Sequence, residues 1–240
     1  MSHGSQGPDD KLDVRERGAN QQTSDRRLFM QLLAFGDCPD PKPLVRTLES
    51  AHVAATLYRD VNDPRGVALL GMSEDPAYFV NELRELLNSP AFGELPLKPE
   101  FSMLGRTYAS GFEGDLDDWL LNRPRRTALN PAWPWAVWYP LRRTGGFARL
   151  SPQEQGTIIR EHSVIGRAYG EADLVHDIRL ACHGLDVRDN DFVIGLVGKE
   201  LHPLSHIVQR MRTTVQTSQY LQTLGPFLIG HALWQSPLPQ

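Results

Sequence analysis

Ser151-Pro152-Gln153-Glu154-Gln155-Gly156-Thr157-Ile158-Ile159-Arg160-Glu161-His162-Ser163-Val164-Ile165-Gly166-Arg167-Ala168-Tyr169 opens as a helix and carries a histidine on its apolar stripe. Ser151 and Glu154 stand three apart, as in a capping box, and Pro152 occupies the first helical position, where its missing N–H costs nothing. Ile158, His162, Ile165 and Tyr169 follow at spacings of four, three and four, one face of a 3.6-residue period. A histidine on a core-facing stripe has two ring nitrogens to satisfy away from water. From the helix alone two readings stand: an internally hydrogen-bonded core residue, or a metal ligand such as one for haem iron.

Working outward, the apolar run 28–35 has strand length and ends at Gly36-Asp37 before a proline cluster. A helix is predicted over 43–52, strands over 54–61 and 66–72 joined by Asn62-Asp63-Pro64-Arg65, a helix over 75–88 and a strand over 101–112. This β-α-β-β-α-β order is that of a ferredoxin-like unit. Residues 116–121 read as a short helical connector and the stretch to Pro134 as a loop. The order then recurs, with strands at 135–141, 174–182 and 191–197, helices at 152–169 and 204–223, and a final strand at 226–234. The expected organisation is therefore a polar segment over 1–25 without stable structure, a ferredoxin-like half over 26–112, a connector over 113–134 and a second half over 135–240. The fold class is α+β, one barrel-like domain made of two such halves.

Composition narrows the function. A formal net charge of −4 offers no general nucleic-acid surface. Two cysteines outside any C-x-x-C pair make no disulfide framework and fit a reducing cytoplasm. No apolar run reaches the ~20 residues of a membrane span, and the first residues lack the apolar core of a secretion signal. His202 and His206 have i, i+4 spacing, but Pro203 intervenes and no third ligand is evident.

Four segments together resemble the chlorite dismutase and coproheme decarboxylase superfamily of haem proteins: Tyr139-Pro140-Leu141-Arg142-Arg143; Glu161-His162 through Tyr169; Gly184-Leu185-Asp186 with Asp191-Phe192-Val193; and Met211-Arg212-Thr213-Thr214 with Ser218-Gln219-Tyr220 and Gly225-Pro226-Phe227. The likeness is strong over 120–234 and limited to element order over 27–112. It implies two ferredoxin-like halves in a dimeric-type α+β barrel, haem b or coproheme in the second half, His162 as axial iron ligand, and a homo-oligomer, pentameric by analogy.

The resemblance also implies roles. Tyr139 matches the tyrosine that coproheme decarboxylases oxidise with peroxide-activated haem. Arg143, Arg125 (fourteen positions before the tyrosine) and Thr217 match groups that hold propionates, and guanidinium suits carboxylate. Chlorite-degrading members place a carboxylate beside the proximal histidine, and the matching position here is Val197. They carry a distal arginine seven residues before the Gly-Leu-Asp glycine, and that position is Asp177. Arg179 follows on the same strand face and restores an arginine if the alignment slips. Asp177 and Arg179 are thus distal candidates; they could equally pair with each other, Tyr139 could be a sheet aromatic, and the arginines solvated surface charges. The implied activity is peroxide-dependent conversion of coproheme to haem b. The alternatives are chlorite splitting and a haem-handling protein without that chemistry.

Overall fold

The computed structural model describes residues 12–238. Its strands are β1 (Glu16–Arg17), β2 (Thr23–Ser24), β3 (Phe29–Phe35), β4 (Ala55–Asp60), β5 (Val67–Ser73), β6 (Met103–Arg106), β7 (Trp135–Arg143), β8 (His176–Ala181), β9 (Phe192–Gly198), β10 (Leu221–Leu224) and β11 (Leu228–Gln235). Its α-helices are α1 (Lys42–Ala51), α2 (Glu82–Leu87), α3 (Arg123–Ala128), α4 (Gly145–Ala148), α5 (Pro152–Glu171), α6 (Leu201–Met211) and α7 (Val215–Tyr220). The main sheet runs β10-β7-β11-β4-β5-β3-β6-β8-β9, and a further pairing of β7 with β9 closes it.

Within each half the strand order is that of a ferredoxin-like sheet. The first half reads β4-β5-β3-β6 and the second β11-β7-β9-β8, so each half's fourth strand meets the other's second strand at the two seams. The seams are unequal. β11 and β4 share five register pairs, whereas β6 touches β8 only at Arg106↔Ala181. Gly105 permits that narrow contact, since a Cβ there would sit 2.7 Å from the Leu180 Cβ.

Strand alternation sorts the core into layers. On β7, Ala136 and Trp138 join Met30, Leu70 and Val197 in the barrel interior, while Val137, Tyr139 and Leu141 face outward under Leu204 and Ile207 of α6. Each fully buried leucine or valine contributes about 1.5–3 kcal/mol, so both faces of β7 are held firmly. Gly195 opposes Trp138 and leaves its ring room, because a Cβ at 195 would lie 2.5 Å from the indole. A third cluster packs Leu44 and Leu48 of α1 and Leu83 of α2 against Leu57 and Leu69.

Several expected elements differ. Residues 12–25 are folded rather than structureless: β1 pairs with β2, the Gln22 amide donates to the Gly114 carbonyl at 2.8 Å, and the Glu16 carboxylate accepts from Arg106 at 2.8 Å. Long-range partners order this polar stretch where apolar periodicity is lacking. Residues 1–11 lie outside the described residues. The helix expected over 75–88 splits into a 3₁₀ turn (Pro76–Phe79) and α2, with Asn81 at φ −111°, ψ −94° between them. The strand expected over 101–112 stops at Arg106, since the next N–H groups are taken by carboxylates: Glu16 accepts from Ala109, and Glu113 from Ser110, Gly111 and Phe112. The expected loop before Pro134 contains α3, whose Pro124 stands where no N–H is needed. The long helix over 204–223 breaks at Thr214, which caps α7 by accepting from the Thr217 N–H.

Candidate functional site

The outer face of the second half carries the sequence-selected residues. α5 starts as its capping box requires, with Ser151 Oγ accepting from the Glu154 N–H and the Glu154 carboxylate from the Ser151 N–H. The stripe Ile158, His162, Ile165 and Tyr169 is half-buried rather than buried, and α5 has no fully buried residue.

His162 meets two threonines from the helix break. Its Nδ1 lies 3.0 Å from Thr214 Oγ1 and its Nε2 3.3 Å from Thr217 Oγ1. The Thr214 hydroxyl donates its one hydrogen to the Met211 carbonyl at 2.7 Å, so it accepts from Nδ1–H. That assigns the tautomer with the lone pair on Nε2. Burial, with the nearby charges of Arg143 and Arg179 adding to it, pushes the imidazole pKa down to about 4 against the opposing pull of Glu161. The Glu161 carboxylate is engaged with the Val215 N–H at 2.8 Å and does not bond the ring.

This depression has a signed consequence. The folded-state pKa lies below the ordinary 6.5, so the neutral ring favours the fold above the unfolded value. That contribution, at most about 3 kcal/mol, is lost as pH falls from about 6.5 through 4. Urea melts across that window are expected to lose stability in the wild type more steeply than in His162→Asn. Parallel profiles would contradict the assignment.

Val197 does not neighbour the imidazole. It points into the barrel interior, and the outward residues of β9 are Phe192, Ile194 and Leu196. The side chains that do face the ring nitrogens are the two threonines.

Register aligns the other candidates. Tyr139 opposes Ile194, which opposes Arg179, and Val137, Leu196 and Asp177 form the next row on the same face. Tyr139 is buried, its ring 4.7 Å from that of Phe227, and burial together with the Asp177 charge holds its phenol protonated. Asp177 pairs with Arg179 at 2.6 Å and with Arg123 at 2.7 Å. Both guanidiniums lie over Trp119, at 4.5 Å for Arg123 and 5.2 Å for Arg179. Burial alone would raise the Asp177 pKa, but the two arginines outweigh it and keep the group ionised. Arg143 is clamped between Phe147 and Phe192, at 4.5 and 4.7 Å. Its Nε is buried without a hydrogen-bond partner.

Arg125 is not drawn into this group. It bonds Glu74 at 3.1 Å, which also holds Arg26, so its charge is already met. Thr217 joins the site at the imidazole itself. Sequence reasoning missed Arg123, which nothing local marks, and Thr214, although its spacing to Thr217 is that of a helix cap. It also missed Tyr108, whose ring is 5.5 Å from Phe192 and which senses Arg179 and Arg143. His206 meets the Tyr169 hydroxyl through Nδ1. Among the described residues no three His, Cys, Asp or Glu side chains could hold a metal ion, and no helix is long and apolar enough to cross a membrane.

The model of the chlorite dismutase family matches residues 65–233. The chain belongs to the chlorite dismutase family. No curated protein matches it in sequence. A heme-binding protein from Thermus thermophilus is similar in structure at TM-score 0.67 and 18% identity, covering 87% of this chain and 92% of that one. A chlorite dismutase from Candidatus Nitrospira defluvii, in complex with imidazole, is similar at TM-score 0.66 and 12% identity, with coverage of 87% and 92%. At such identities the likeness establishes the chlorite dismutase fold, in agreement with the two joined ferredoxin-like halves.

Proposed function

We propose that this member of the chlorite dismutase family is a haem-dependent oxidoreductase whose preferred reaction is peroxide-driven decarboxylation of coproheme to haem b. The observation that carries the reading is Arg143, a guanidinium held between two rings with its Nε buried and unbonded, close enough to lower the pKa of His162. A porphyrin bearing carboxylates supplies partners for both groups. The residues fit that cofactor: a neutral imidazole with its lone pair on Nε2, apolar Ile158 and Ile165 beside it, and a cation without an ion pair among the described residues. His162 would hold the iron, and Thr217 would yield Nε2 to it and turn its hydroxyl towards a propionate. Arg143 would take a propionate directly, whereas Arg125 would first have to leave Glu74.

Bound iron porphyrin would supply the redox reaction with peroxide. Per propionate, the carboxylate, one peroxide and one proton become a vinyl group, carbon dioxide and two waters. Tyr139, kept as an intact phenol, can give up its hydroxyl hydrogen as electron and proton together. It would regain that hydrogen, with one of the two electrons the reaction removes, from the propionate side chain, the second passing to the redox chemistry of the bound porphyrin as carbon dioxide leaves. Asp177 is a fixed anion between two arginines and acts as a clamp rather than an acid. The Nδ1–H bond to a threonine hydroxyl, instead of a carboxylate, leaves the imidazole an ordinary neutral ligand. A homo-oligomer belongs to the same proposal and is checked by light scattering.

One observation favours a second reading, in which chlorite is split into chloride and dioxygen: Arg179 stands in the same row as Tyr139. The two separate by product. Carbon dioxide release from coproheme and peroxide supports the first; oxygen from chlorite, with no carbon dioxide from coproheme, would replace it with the second.

A further inference from the structure

Asp177 has two arginine partners where one would neutralise it. Arg179 comes from the next position on the same strand face and Arg123 from α3, fifty-four residues earlier in the chain. All three side chains are half-exposed, at 31% for Arg123, 41% for Arg179 and 32% for Asp177. Trp119 lies under both guanidiniums, within cation–π reach of each. The group therefore carries one net positive charge. Without Arg123 the Asp177–Arg179 pair would be neutral. Arg143, whose guanidinium makes no ion pair among the described residues although Asp191 lies near it, stands near Tyr108 with Arg179 on the same face.

We infer that Arg123 is a specificity-determining residue: by neutralising Asp177 it leaves the charge of Arg179 available, so that this face takes a small anion in preference to a neutral molecule. Arg123 acts through Asp177 and is a positioning residue rather than a catalytic one. The inference rests on the proposed function only in that this face is where small ligands of the bound porphyrin arrive; hydrogen peroxide is neutral, so the anion preference bears on chlorite, the second reading, rather than on peroxide. The Coulomb attraction of a half-desolvated guanidinium is removed by a neighbouring carboxylate and restored when a second cation takes that carboxylate.

The test uses the full chain loaded with ferric porphyrin and follows the absorption spectrum during titration with fluoride or with imidazole, at about pH 8, where free imidazole is neutral. Arg123→Met is expected to weaken fluoride binding about tenfold and leave imidazole binding unchanged within about twofold. Arg123→Lys should keep wild-type fluoride affinity. Adding Asp177→Asn to Arg123→Met should restore it, since Arg179 is then free again. Equal loss for both ligands would make Arg123 a structural brace only, and an unchanged fluoride affinity would overturn the inference outright. A companion titration of the porphyrin-free protein follows the Arg179 Nε–H resonance with added azide. Response at lower azide in wild type than in Arg123→Met supports the charge argument even if the proposed function fails; equal responses contradict it.

Discussion

Replacing His162 with alanine is expected to give a folded protein that binds ferric coproheme at least about a hundredfold more weakly than wild type. Loss of a group that only orients a metal's ligand costs about 10–100-fold in affinity, so loss of the axial ligand itself takes the upper figure as its lower bound. The prediction separates the two readings of a histidine on an apolar stripe. If His162 were only a core residue, its loss would appear in stability and leave porphyrin affinity alone. Its contacts argue that the fold survives: the ring is half-buried, and its hydrogen bonds run to two threonine hydroxyls rather than to the sheet. Thr214 still caps α7 and still donates to the Met211 carbonyl in the variant. Absorbance titration measures the affinity, and added imidazole should recover part of the wild-type spectrum. Wild-type affinity and spectrum in His162→Ala would remove the iron ligand from the account.

The second large effect is expected at Tyr139. Tyr139→Phe should bind coproheme as wild type does yet release carbon dioxide at least about a hundredfold more slowly, a barrier change of about 2.7 kcal/mol. The separation of binding from turnover follows from the contacts. The phenol ring packs on Phe227 at 4.7 Å, which phenylalanine preserves, while the hydroxyl bonds no other described residue. A structural tyrosine of a half-buried strand would lose nothing by this substitution. Single-turnover release of carbon dioxide after one addition of peroxide distinguishes the two. An equal rate in the variant would assign Tyr139 to packing alone.

Much of the fold was legible because it is written in local periods. Strand-length apolar runs such as β3 and β5 and the cap of α5 need only neighbours a few residues apart. What escaped is set by distant partners. Glu113 and Glu16 draw off the N–H groups that would have continued β6, and Gln22 and Glu16 tie down a polar segment. The helix expected to run through Thr214 stops there because a threonine serves as well at a cap as inside a helix.

The site divides in the same way. Tyr139 and Arg143 lie four apart on β7 and His162 on one stripe of α5, and the fold brings Arg143 near enough to His162 for its charge to act on the ring. Asp177 and Arg179 were rightly set on one strand face, with mutual pairing left open; the pair forms. Val197 was assigned to the wrong face, the error that one residue of register makes in a strand of period two. Arg123 could not be foreseen, since its meeting with Asp177 depends on how α3 packs against β8.

The most direct test of the central claim is the mass of the porphyrin itself. Ferric coproheme bound to the full-length wild-type protein, treated with peroxide and extracted, is predicted to lose two carboxyl groups as carbon dioxide and appear as haem b. A porphyrin that keeps all four carboxylates through repeated peroxide additions, while remaining bound through His162, would contradict it.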